Sequence, residues 1–287
     1  MLVGSNYGLS AGTNVIAIDH TLPMKRAILL SFIFAICSPT PGRGESIQRS
    51  GYIITADAGI AADAEQIAKL TDSAIHALSE AFPAWDVPQT IQSYRLQIKV
   101  YATPTAEANE GTASLFTGNE KGNPSARLEM LAPSKYPAGA QTNVGEPKDT
   151  KYIERLLIHE ISTIVFERVT GKKLAGWRFY SAPSWFVQGI EQYVAFRQTK
   201  AGPSLQLYID RVRKDPNIVQ ADFGLQVSEP YIGGAALLAF IDERYGWPKI
   251  QKLLESPEPT FGAAIRKQLD VTSDGFAAEF QKWLKAK

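Results

Sequence analysis

The sequence predicts an α+β fold in which a small mixed N-terminal sheet with helices is followed by an all-helical C-terminal half. Three observations carry this. Segments with apolar residues at every second position are confined to residues before 133. From Lys151 onward the apolar spacing changes to a helical period. The chain has 287 residues, 45% hydrophobic and 21% charged, which suits a soluble globular protein with a sizeable core.

Residues 52–55 (Tyr, Ile, Ile, Thr) read as a short strand. Residues 58–82 are rich in Ala, and Ile67, Leu70, Ile75 and Leu78 fall on one helical face. His76 lies in this helix with no second ligand-type residue spaced around it, so it reads as a surface or packed histidine. Residues 94–101 and 126–132 alternate apolar and polar, as half-buried strands do. Residues 104–125 read as a loop, and 133–149, with three prolines, as another. Helical spacing then begins at 151. Ile153, Leu157, Ile161, Ile164 and Val165 form one stripe, and Gly171 is expected to close the helix. A helix over 184–197 follows Pro183. Beyond Asp215 and Pro216, helices are expected at 231–245, 248–254, 260–269 and 273–285. No internal repeat is visible.

The N-terminus carries an export pattern. Met24, Lys25 and Arg26 precede an apolar run over 27–36 and a small, polar stretch over 37–44. The run is short for a bilayer span. Residues 24–44 therefore read as a signal peptide cleaved near Gly44. Residues 1–23 read as an upstream extension, and 45–287 as the mature domain. Cys37 hints at lipidation, but Ile36 stands where a lipobox needs a small residue, so cleavage is the main reading. No membrane span is expected after cleavage, and the expected location is periplasmic or extracellular. The mature chain lacks cysteine and keeps two histidines, His76 and His159.

Several chemistries are excluded. Lys plus Arg is 30 and Asp plus Glu is 29, a balance that makes no case for nucleic acid or an anionic membrane as the main partner. One Cys excludes an intramolecular disulfide framework. There is no Gly-x-Ser-x-Gly nucleophile elbow and no phosphate-cradling glycine loop. Glu154 and Arg155 before His159, and Lys172, Lys173 and Arg178 after it, read as solvated or helix-end charges. Trp177, Phe179, Tyr180, Trp185 and Phe186 read as core or cleft wall.

Residues 159 to 231 hold the candidate chemistry. His159-Glu160-Ile161-Ser162-Thr163 begins like the zinc-peptidase helix, in which two histidines four apart grip one metal and the Glu activates its water. The second histidine position holds Thr163. Trp185-Phe186-Val187-Gln188-Gly189-Ile190-Glu191-Gln192-Tyr193 resembles the second signature helix of the peptidase MA-like, or gluzincin, metallopeptidases. The pattern there is Trp-Phe/Leu-x-Glu-Gly-Leu-Ala-Glu-Tyr, and Gln188 occupies the place of the metal-binding Glu. Pro230-Tyr231-Ile232-Gly233-Gly234 is similar to the stretch that follows the zinc site in aminopeptidase-type members.

The resemblance spans the mature chain and implies a zincin-like fold. It also implies that Glu160 is the position of the general base and Tyr231 that of an oxyanion donor. Of three metal-ligand positions only His159 is retained, and Thr163 and Gln188 are neutral. Glu191, about 4.5 Å along the helix from Gln188, is a substitute ligand to consider. Glu167 is about 12 Å of helix rise from His159, too far to share an ion. Two functions follow. The first is an exported, non-catalytic homologue without a cofactor that binds a peptide or protein in the old cleft, by strand addition along residues 126–132 as the edge strand. The alternative is a zinc-dependent hydrolase using His159, Glu160, Glu191 and Tyr231.

Overall fold

The computed structural model describes residues 44–109, 113–120, 122–173, 183–220 and 226–287. They belong to one unit, Pro41–Lys287. The signal pattern through residue 43 lies outside the described residues, as do Trp177, Arg178, Phe179, Tyr180 and the side chains of Lys172 and Lys173.

The expected α+β organisation is present. Strands β1 (Glu45–Gln48), β2 (Tyr52–Ala56), β3 (Leu96–Tyr101), β4 (Ser114–Glu120) and β5 (Asn123–Leu131) form one mixed sheet in the order β1-β2-β3-β5-β4. The central three are parallel, and β1 and β4 run antiparallel at the two edges. One row of apolar residues crosses the sheet: Ile47, Ile54, Ile98, Leu128 and Leu115 stand opposite one another in turn. The middle three have no solvent exposure. The β2-to-β3 crossover carries helices α1 (Ala61–Ala81) and α2 (Val87–Tyr94). Ala64, Ile67, Ala68, Thr71, Ala74 and Leu78 give α1 a buried face of mostly small residues. Asp86 caps α2 by accepting from the Gln89 backbone N–H, and Arg95 ends it in the left-handed region with φ 50°.

Helix α3 (Thr150–Lys173) packs against α1 and lays Ile153, Leu157, Ile161, Ile164 and Val165 into the core, the stripe the spacing predicts. Helices α4 (Ser184–Gln198), α5 (Gly202–Lys214), α6 (Pro230–Tyr245), α7 (Trp247–Leu254), α8 (Phe261–Leu269) and α9 (Ser273–Ala286) follow. Residues 232–241 of α6 are buried on every side, so it is the central post of the second half. Trp185 and Phe186 are core residues against Phe261.

Several expectations are corrected. The stretch 104–125 is not all loop, because β4 lies in it. Residues 126–132 are therefore not an edge: β5 is flanked by β3 and β4, and the edge on that side belongs to β4. Tyr94 ends α2 rather than starting a strand. Helix α3 runs through Gly171 to Lys173, since glycine permits a stop but does not enforce one. The second half is not purely helical, because Val219–Gln220 pairs with Gln226–Val227 as a two-stranded ribbon, β6 and β7. Arg155 is buried, not solvated. Among the described residues no helix is long and apolar enough to cross a membrane.

Candidate functional site

Helix α3 has two working faces. While the 153–157–161 stripe faces the core, Tyr152, Arg155, Leu156, His159 and Glu160 share another face, spaced by three and four residues, and form one wall of a cleft of about 590 Å³. The loop before α3 supplies Thr142, Asn143, Glu146 and Lys148. Gln192 of α4, Tyr208 of α5, and Glu229, Tyr231 and Ile232 at the start of α6 close the far side.

His159 is 7% exposed, and its Nε2 lies 3.7 Å from Oε2 of Glu191. Its Nδ1 has no hydrogen-bond partner among the described residues. Thr163 donates its hydroxyl to Oε1 of Glu191. The Tyr231 ring stands 5.5 Å from the imidazole and is half exposed. Glu191, 2% exposed, is thus the carboxylate facing His159. Gln188, where the resemblance puts a metal-binding Glu, is half-buried and is not among the residues lining the cleft. His76 is far out on the surface of α1, 3.4 Å from Glu80 one turn on.

Burial dominates the electrostatics. It pulls the His159 imidazole down to about 4, with Gln192 opposing by hydrogen bonding, so the ring is neutral at pH 7. Glu160 keeps part of its surface on the cleft, yet protein surrounds it closely enough to push its carboxyl up to about 8. Burial also raises Glu191 to about 8. The Thr163 hydrogen bond works against that shift, and the neighbouring Glu160 adds to it. Tyr231 is held up at about 12 by burial and by the two carboxyls, so it remains an O–H donor.

At neutral pH the arrangement therefore presents a neutral imidazole, two largely protonated carboxyls, a phenol and the Gln192 amide. Such groups donate and accept hydrogen bonds along a chain of carbonyls and N–H groups. A catalytic zinc needs three protein ligands. His159 and Glu191 are two, one oxygen of Glu191 is engaged by Thr163, and Thr163 itself is neutral. No group of three His, Cys, Asp or Glu side chains among the described residues is placed to hold a metal ion. The donor set does not fit a resident zinc.

A pH dependence follows. Between pH 6.5 and 8, His159 is neutral in the fold, while the unfolded chain's imidazole, near 6.5, is about half protonated at the lower limit and loses that proton as pH rises. Glu160 and Glu191 hold protons in the fold that the unfolded chain, near 4.5, has released. Stability should fall as pH rises through this window, by up to about 1.4 kcal/mol per pH unit for each carboxyl. His159 partly opposes the trend at the lower end of the window and more strongly below it, because the unfolded chain then binds the proton that the fold does not. Urea unfolding across pH 6.5–8 checks this, and Glu191→Gln should remove about half of the slope. An unchanged slope in that variant would show that Glu191 does not carry the proton.

Sequence spacing missed Arg155, Glu146, Tyr152 and Tyr208. The signal for Tyr152 and Arg155 was available, since they sit seven and four residues before His159 on its own face. Glu146 and Tyr208 had none, because they reach the cleft from other elements. A scan against family models and a search of curated proteins found no match to this chain.

Proposed function

We propose that this chain is an exported, gluzincin-like binding protein that holds an extended peptide in its cleft without cleaving it. The observation that carries this is Thr163. It stands one helical turn from His159, where a second ligand would be, and its hydroxyl hydrogen-bonds the one carboxylate that faces the imidazole. The water-activating arrangement of a zinc peptidase is thereby replaced by a neutral hydrogen-bonding wall. Export rests on the 24–44 pattern, and mass spectrometry of secreted protein should find a first residue near Glu45. Retention of residues 1–44 would remove that part of the proposal.

A second reading is a hydrolase with a non-standard zinc site. It is favoured by the approach of His159 to Glu191, 3.7 Å between ring nitrogen and carboxylate oxygen. Metal analysis separates the two. Zinc-replete wild type should carry no stoichiometric zinc and show no chelator-sensitive cleavage of casein. Stoichiometric zinc that disappears in His159→Ala would overturn the binding reading. The restoring change is Thr163→His, since Glu191 is already beside that position. The variant should bind zinc at least about tenfold more tightly than wild type, given a third ligand where two stand. Adding Gln188→Glu should contribute little. Zinc binding that required Gln188→Glu would instead place the third ligand at the family's position.

A further inference from the structure

One helical turn before His159, the cleft wall contains a buried ion pair that the reading above does not use. Arg155 and Glu146 have side chains 7% and 1% exposed, and Arg155 Nη2 donates to Glu146 Oε1. The pairing is single-pronged. Arg155 Nε and Glu146 Oε2 are both buried without a hydrogen-bond partner among the described residues. A guanidinium opposite a carboxylate ordinarily forms two parallel bonds, and an unmet buried donor or acceptor is costly. Tyr152 and Tyr208 complete this part of the cleft, each close enough to feel the charges of Glu146 and Arg155. Lys148 also lines it, and its ammonium has no ion-pair partner among the described residues.

Glu146 arrives on a self-contained hairpin. Lys148 N–H donates to the Ala140 carbonyl, Gln141 bridges to Pro147, and Thr142 N–H donates to the Glu146 carbonyl. Glycines with positive φ stand at its base, Gly139, and at its tip, Gly145. Among the described residues, Glu146 to Arg155 is the polar side-chain tie of residues 140–148 to the body, and Val144 adds an apolar contact. The hairpin's internal bonds are made within residues 140–148 and do not depend on the Glu146–Arg155 contact.

We propose that Arg155 is a carboxylate-recognition residue, that Glu146 occupies its place in the free protein, and that a peptide with a free carboxylate displaces Glu146. This rests on the peptide-binding reading of the same cleft. The exchange is favourable because a free carboxylate can meet Nε and Nη2 together, which Glu146 does not, and because Lys148 stands on the same rim.

The test is calorimetry with one N-acetylated hexapeptide of Gly, Ala and Tyr, made as the C-terminal free acid and as the C-terminal amide. Wild type should bind the acid about tenfold more tightly than the amide. Glu146→Gln should raise affinity for the acid by about another tenfold and widen the acid-to-amide ratio to about a hundredfold. The double variant Glu146→Gln/Arg155→Gln, which buries no unpaired charge, should bind acid and amide alike. Equal binding of acid and amide by both wild type and Glu146→Gln overturns the carboxylate site while the peptide-binding reading stands. No binding of either peptide overturns both. A preference for the acid that Glu146→Gln leaves unchanged removes Glu146 as the stand-in.

Discussion

Gly234→Ala should cost more than about 3 kcal/mol of folding free energy, at the upper end of overpacking effects. Where α4 crosses α6, a Cβ at Gly234 would lie 2.2 Å from the Trp185 carbonyl oxygen and 2.7 Å from the Gly189 Cα. One at Gly189 would lie 2.5 Å from the Gly234 carbonyl carbon. These are backbone atoms of two packed helices, so no side-chain rotation relieves them. The helices would have to separate, carrying Glu191 and Gln192 away from His159. Urea unfolding should therefore show a lower midpoint, and peptide binding should weaken with it. Gly262→Ala is the control: its nearest neighbour would be Ser273 Oγ at 3.8 Å, and in a helix the change should stabilise by up to about 1 kcal/mol. Wild-type stability in Gly234→Ala would mean that the two helices do not cross at these glycines.

Arg155→Met should cost about 3–5 kcal/mol, because it leaves the Glu146 carboxylate buried without its partner. Glu146→Leu in the Arg155→Met background should recover most of the loss, since two apolar side chains of similar volume leave no buried charge. The four proteins form a double-mutant cycle measured by urea unfolding. If the double variant loses as much as the two single variants together, the pair does not act as a unit.

Much of the framework was legible because it depends on local periodicity. The alternation over 94–101 and the stripe from Ile153 to Val165 arise wherever one face of an element is buried and the other is not, whereas 126–132, read as half-buried, is covered on both faces from Leu128 onward. Strand β4 was illegible for the converse reason. As an edge strand it has no fully buried residue among Ser114–Glu120, so no apolar alternation was required. Strand β1 escaped notice because a single residue, Ile47, is buried. Helix α2 was obscured by its length of eight residues and by Tyr94, whose aromatic ring suits a strand equally well.

The site divides in the same way. His159, Glu160 and Thr163 share one helix, so their spacing alone places them together, with a neutral Thr163 one turn after His159. The sequence by itself determined the helix that bears the candidate chemistry, the neutral residue one turn after its histidine, and the apolar faces that bury the sheet. Only the tertiary structure decided that Glu191 rather than Gln188 faces His159, because the rotation of α4 is set by how closely Gly189 approaches Gly234. It also turned Arg155 from a surface charge into a cleft residue, because Glu146 comes to it from a hairpin. Contacts between elements depend on how backbones pack in space, and no periodicity within one element records them.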